Sequence, residues 1–110
     1  MALGAVTQVK HGVLAPGGLR YTIFTVVPTS GANYTANGEA VALSNFKGFR
    51  REVLFATAVQ DDEASGSEFY IVDLSDTAVP VLVAMASDGT EASGNADLSG
   101  KLVRVFALGR

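Results

Sequence analysis

The chain has no cysteine and no tryptophan, a single histidine and three prolines among its 110 residues. Without cysteine there is no disulfide, no thiolate nucleophile and no Cys-ligated metal, and the redox compartment stays open. One histidine, His11, beside Lys10 and without a neighbour at metal-ligand spacing, is too few for the metal sites of small jelly-roll enzymes. It reads as a structural or solvent-facing side chain. No GxSxG, phosphate-binding or dinucleotide-binding motif is present. Without tryptophan, Tyr21, Tyr34 and Tyr70 make a poor sugar-stacking surface. No apolar run approaches the roughly 20 residues that cross a bilayer as a helix. Met1 to Val6 is apolar but too short for a signal-peptide core, and Lys10 and His11 follow closely. The expectation is a protein made and folded in a cytosol, with no membrane partner.

Charge of one sign is also missing over a long stretch. Asp61, Asp62, Glu63, Glu68, Asp73, Asp76, Asp88, Glu91 and Asp97 follow one another with no intervening Lys or Arg. Met1 to Gln60, by contrast, carries Lys10, Arg20, Lys47, Arg50 and Arg51 against Glu39 and Glu52. The net charge of −3 argues against nucleic acid as a partner. Adjacent acids on a loop tip repel one another and stay solvated. Asp61, Asp62 and Glu63 are therefore a poor acid–base pair for sugar hydrolysis. Neither they nor Asp88-Gly89-Thr90-Glu91 match the spaced calcium loop. No catalytic residue, metal or cofactor is expected.

What is present is apolar and β-forming. A chain of 110 residues suits one domain, yet 48% of it is hydrophobic and its mean hydropathy is +0.30. That excess predicts apolar surface covered by a partner. Segments rich in β-branched and aromatic residues run over Thr7–Leu14, Leu19–Val27, Arg51–Gln60, Glu68–Leu74, Val79–Ala86 and Lys101–Leu108. Between them lie turn signals: Ala15-Pro16-Gly17-Gly18, the polar loop Thr29–Gly38, the acidic tip Asp61–Ser67 and the polar loop Ser87–Gly100. Ser75-Asp76-Thr77 joins two strands as a hairpin, with Pro80 expected at a strand start or an edge. Glu39–Phe46 is ambiguous, with Ser44 a possible cap of a short helical turn. No segment has helical periodicity over ten residues. The pattern predicts an all-β fold with little helix, an antiparallel β-sandwich or a small jelly-roll-like β-barrel. Residues 1–6 would form an N-terminal arm and residues 7–110 a single β domain. Ile23, Phe24, Val53, Phe55, Ile71, Val81, Val83, Val103 and Val105 are the expected core, and Phe69 and Phe106 read as core as well.

Three stretches carry a resemblance. The first is Tyr34-Thr35-Ala36-Asn37-Gly38-Glu39-Ala40, followed by Leu43-Ser44-Asn45-Phe46. The second is the hairpin from Phe69 to Val83. The third is Ala96-Asp97-Leu98-Ser99-Gly100 followed by Lys101-Leu102-Val103-Arg104-Val105-Phe106-Ala107-Leu108-Gly109. They resemble a group of short tailed-phage proteins encoded near the major capsid protein, with a Y-x-x-G-G-E-like element, a short L-[ST]-x-x-[LF] segment, and an ending D-L-S then V-R-V-x-A-x-G. Here Asn37-Gly38 stands in place of Gly-Gly, and the second element is one residue shorter. The resemblance implies a capsid decoration protein, also called a cement or head-stabilising protein. Such a bacteriophage virion protein binds the outer capsid surface, commonly as a homotrimer, and stabilises contacts between major capsid protein subunits. It implies no catalytic residue. The competing expectations are another virion, tail or cell-surface β-sandwich module, for instance one that binds carbohydrate, and a small jelly-roll enzyme.

The expected partner contacts are an apolar arm and a basic group. Met1, Leu3 and Val6 belong to the arm, which has no obvious strand partner. Lys47, Arg50 and Arg51 form the densest cationic point, and the arginines can fork onto carboxylates of a capsid protein or of an adjacent copy. Tyr34 lies in a polar loop, so it either packs back on its own domain or anchors a contact.

Overall fold

Alternating side chains and turn residues at regular intervals divide the chain into strands that bury one face each. The computed structural model describes residues 3–15, 18–29, 34–35, 37–60, 69–86, 89–92, 98 and 101–110. Its strands are β1 (Val6–Ala15), β2 (Leu19–Val26), β3 (Glu39–Ala40), β4 (Val53–Gln60), β5 (Phe69–Asp73), β6 (Val81–Met85) and β7 (Val103–Gly109). One turn of 3-10 helix spans Leu43–Asn45. Ser44 lies inside that turn and caps nothing; the capping position is Ala42, without a side-chain bond.

The strands form two antiparallel sheets, ordered β1-β2-β7-β4 and β3-β6-β5. The fold is thus an all-β sandwich. β5 and β6 make the expected hairpin, and Pro80 sits buried just before β6, where its missing N–H costs no ladder bond. The core draws on both sheets. Phe24, Val26, Val53, Val103, Val105 and Ala107 come from the larger sheet and Tyr70, Leu82 and Ala84 from the smaller. The segment between β3 and β4 closes one end of this core with Val41, Phe46 and Phe49. Phe24 meets Phe46 edge to face, with ring centroids 5.2 Å apart, and Phe46 stacks on Phe49 at 5.8 Å. Gln8 fastens the same segment to the sheet: its Nε2 donates to the Asn45 carbonyl at 2.8 Å, and its Oε1 accepts from the buried Thr22 hydroxyl.

Several expected core residues lie elsewhere. Phe55 is 50% exposed and Ile71 is 44% exposed. Phe69 is exposed, while Ile23, Val81 and Phe106 are half-buried. A β-bulge accounts for Phe55. Val53 faces inward opposite Gly109, but the next partner pair is Phe55 with Leu108, so Leu54 is the extra residue. The bulge reverses the alternation, and Ala56 and Ala58 turn inward in place of Phe55, Thr57 and Val59. In β5 every position from Phe69 to Val72 is apolar, and the fold buries Tyr70 rather than Ile71.

Residues 3–6 are likewise part of the sandwich. The Gly4 N–H donates to the Val27 carbonyl at 2.9 Å and the Val27 N–H to the Ala5 carbonyl at 3.1 Å, which prolongs the β1–β2 pairing. Leu3 and Val6 pack against the core.

Two substitutions separate the register seen here from one without the bulge. Phe55→Ala is expected to lower unfolding free energy by about 1 kcal/mol or less, since the ring is already half in water. Phe46→Ala should cost about 3–5 kcal/mol. Denaturant unfolding of both variants checks the pair, and equal losses would contradict the bulge.

Candidate functional site

Two surface features stand out once the strands are in register. The first is the outer face of the larger sheet. Partner pairs place Tyr21, Leu108 and Phe55 on one rung across β2, β7 and β4. Ile23, Phe106 and Thr57 form the next rung, and Thr25, Arg104 and Val59 the third. On β1 the same rungs continue through Gly12, Lys10 and Thr7. The Tyr21 ring lies over Gly12, so that a methyl group there would approach its Cε1 to 3.0 Å. Phe55 and Val59 are half or more exposed, and Tyr21, Ile23, Phe106 and Leu108 are partly so. An antiparallel sheet with one wet face normally alternates polar residues outward. Here aromatic and aliphatic side chains occupy six of the nine positions on β2, β7 and β4.

The second feature is a cleft at the end of the same sheet. Arg20, Arg50, Arg51 and Arg110 line it together with Gly18 and Gly48, and its volume is about 400 Å³. Three parts of the chain bring these arginines together. Arg20 enters from the start of β2, opposite Gly109, and its side chain lies across Gly48. Arg50 and Arg51 follow Phe49, whose buried ring fixes where their backbone runs. Arg110 follows β7. The Arg110 main-chain oxygen accepts from the N–H groups of Arg50, Arg51 and Glu52 at 3.3, 2.7 and 3.0 Å, and the Arg110 N–H donates back to the Glu52 carbonyl at 3.1 Å. Gly109 makes this clasp possible, because a Cβ there would run into the Glu52 carbonyl and the Phe49 ring.

One carboxylate already sits beside the cleft. Both Nε and Nη2 of Arg110 donate to Glu52 Oε2 at 2.8 Å, and the Thr77 hydroxyl donates to Oε1 at 3.1 Å. Those bonds, Arg110's foremost, hold the Glu52 carboxyl below the usual carboxylate range, and the charge of Arg51 acts in the same direction. Among the described residues Arg20, Arg50 and Arg51 have no side-chain ion pair.

The residues singled out from sequence are divided by the fold. Arg50 and Arg51 enter the cleft and Lys47 is exposed close by in sequence. Arg20 and Arg110 join them through tertiary structure, and no local signal marks either one. Leu3 and Val6 are engaged by their own core, and Met1 lies outside the described residues. Tyr34 packs back on its own domain: it is 2% exposed. Its hydroxyl donates to Glu91 Oε2 at 2.8 Å and accepts from the Ala84 N–H at 3.0 Å, while the Asn37 N–H also reaches Glu91 Oε2. Burial pushes the Tyr34 hydroxyl well above the ordinary tyrosine range, and the neighbouring Glu91 charge adds to the effect. The Ala84 carbonyl accepts from the Ala92 N–H, so both backbone groups that β6 leaves unpaired beyond β3 are satisfied. Asn37 and Gly38 have φ of 74° and 101°, and the Gly38 N–H closes the turn onto the Thr35 carbonyl at 3.0 Å. Both are residue types that tolerate the left-handed region, as the Gly-Gly of the resembling proteins would.

His11 is exposed on the edge strand β1. The acids from Asp61 to Glu68, together with Asp88 and Asp97, lie outside the described residues. Among the described residues no three His, Asp or Glu side chains are grouped to hold a metal ion, and no helix is long and apolar enough to cross a membrane. Compared with protein-family models, curated proteins and solved structures, the chain matches none.

Two expectations test the local chemistry. Tyr34→Phe leaves the buried Ala84 N–H without its acceptor and should lower stability by about 1–3 kcal/mol in denaturant unfolding. For Glu52, whose folded-state pKa is depressed, the contribution of the pair with Arg110 is present above the ordinary carboxylate range, about 4.3. It is lost as pH falls through the lower folded-state value. Glu52→Gln should therefore lose stability at neutral pH and show a shallower acid dependence than the parent chain.

Proposed function

We propose that this chain is a non-enzymatic virion protein that attaches to the outer surface of a tailed-phage capsid as a homotrimer and stabilises contacts between major capsid protein subunits. The observation that carries this reading is the outer face of the larger sheet, where Tyr21, Leu108, Phe55, Ile23, Phe106 and Val59 stand side by side across three strands. A small domain that leaves such a face in water gains free energy when a second protein surface covers it, at about 25 cal/mol per Å² of apolar area. The resemblance in Tyr34–Ala40, Phe69–Val83 and Ala96–Gly109 supports the choice of a capsid shell as that surface. So does the role of the first element here, where Tyr34, Asn37 and Glu91 form a hydrogen-bonded knot. A capsid strained by packed DNA needs added contacts between subunits, and a rigid sandwich supplies them without chemistry. Symmetric assembly lets several modest contacts act together. On this reading the protein is made in the host cytoplasm and ends on the virion, with neither nucleic acid nor membrane as its ligand.

The test uses Phe55→Glu, which alters the exposed face and spares the core. The variant should keep its far-UV circular dichroism spectrum and melt within a few degrees of the parent. Its binding to purified shells that lack this protein should weaken about 30-fold, the scale of removing one aromatic anchor of about 2 kcal/mol. Unchanged binding would reject this face. Binding to a glycan array without binding to shells would move the protein to a carbohydrate-recognition module, and a monomer in light scattering both free and after release from shells would reject the trimer.

A further inference from the structure

We propose that the cleft lined by Arg20, Arg50, Arg51 and Arg110 is a carboxylate-binding site that takes an acidic segment of a protein partner. The inference goes beyond the capsid reading and does not depend on it, because it rests on the cleft alone.

The first support is concentration of charge. The chain carries eight Lys and Arg residues against eleven Asp and Glu, yet four of the eight line a single cleft of about 400 Å³. A compact volume of that size is roughly 9 Å across, close to one Debye length at physiological salt, so the guanidinium groups of Arg20, Arg50 and Arg51 act together on whatever enters, while Glu52 offsets the charge of Arg110. They repel one another, and a bound anion relieves that repulsion.

The second support is that the backbone holds them there. Arg50 and Arg51 are tethered by their own N–H groups to the Arg110 main-chain oxygen, the preceding residue Phe49 is buried in the core, and the Arg20 side chain lies across Gly48. The ordering cost of bringing the four together is thus met by folding rather than by the ligand.

The third support concerns which anion. Glu52 on the rim is bound by two nitrogens of Arg110 through one oxygen, so the geometry already suits a carboxylate. Among the described residues Arg20, Arg50 and Arg51 are left with unused forks. A nucleic-acid backbone would need a basic track that continues past the cleft. Here Lys10 and Arg104 lie on separate rungs of the sheet's outer face, and the net charge is −3. An acidic peptide needs only the local cluster.

The experiment measures fluorescence anisotropy of a labelled hexaglutamate peptide with the full chain. Binding is expected at low salt and should weaken about tenfold or more between roughly 50 and 500 mM salt. The double variant Arg50→Ala/Arg51→Ala, altered only at exposed positions, should fold normally and bind at least about tenfold more weakly. Arg50→Lys/Arg51→Lys keeps the charge but loses the planar fork, and should fall between the two. Lys10→Ala, outside the cleft, should bind like the parent. Loss of binding in Lys10→Ala equal to that of the arginine double variant would show general surface attraction and overturn the site. So would an absence of peptide binding at low salt. An oligothymidylate that binds through the same arginines more tightly than the peptide would assign the cleft to nucleic acid instead. None of these outcomes depends on attachment to shells.

Discussion

β7 enters the larger sheet between β2 and β4, and most of the molecule is arranged around that insertion. Val103, Val105 and Ala107 fill the inner face while the backbone of the same strand pairs on both sides. β2 and β4 are far apart in sequence and are joined in the sheet by pairing with β7, so the four-stranded sheet needs β7 in place. Such closure carries a loop-entropy cost that the non-local pairing must exceed. The β-branched residues and alanine facing the core supply the apolar burial. At the end of the strand, close approach replaces side-chain packing. Gly109 lets the Phe49 ring and the Glu52 carbonyl lie against the backbone, and Arg110 then ties three successive N–H groups. The core and the arginine cleft are two ends of one strand.

The segment from Val41 to Glu52 transmits this order to the surface. It has almost no regular structure, yet Val41, Phe46 and Phe49 are buried and Gln8 holds the 3-10 turn by its carbonyl. A loop with buried aromatic anchors is positioned almost as firmly as a strand, because each ring is fixed by neighbours at van der Waals contact. Arg50 and Arg51 inherit that placement. The same segment would be a flexible basic loop if Phe46 and Phe49 were polar.

Much of the architecture was legible in the sequence because β-branched runs and Gly/Pro/Asn punctuation are local signals. All six long strands fall where those runs lie, and Val103, Val105 and Ala107 share the inner face that alternation assigns them. The failures have a common physical origin. Alternation identifies two faces but not which one is buried when both are apolar, as from Phe69 to Val72. Asp73, two residues beyond Ile71 on the same face, was the signal that this side meets water. At Leu54 a single inserted residue reversed the parity of β4, and a bulge leaves no mark in composition. The pairing of residues 4–5 escapes a sequence reading for a related reason: backbone hydrogen bonds between Gly4, Ala5 and Val27 need no side-chain signature. As for the site, Arg50 and Arg51 could be picked out because they adjoin in sequence, whereas Arg20 and Arg110 meet them only through the β2–β7 register.

On the two readings proposed above, the surface features would divide the work of recognition between them. Apolar contact is non-directional and scales with area, so the outer face of the larger sheet can supply affinity but little orientation. Charge acts over a longer range, steers encounter and penalises wrong partners. Arg20 and Gly109 form the pair next to the rung of Tyr21, Leu108 and Phe55, so the cleft lies at the end of the sheet beyond that rung. A partner with an acidic segment in the cleft and an apolar surface on that rung would be held in one orientation. The bulge at Leu54 contributes to this arrangement, since without it Phe55 and Val59 would turn into the core and β4 would present its alanines outward. A local irregularity of one residue thus determines whether β4 adds large apolar side chains or alanines to the outer face.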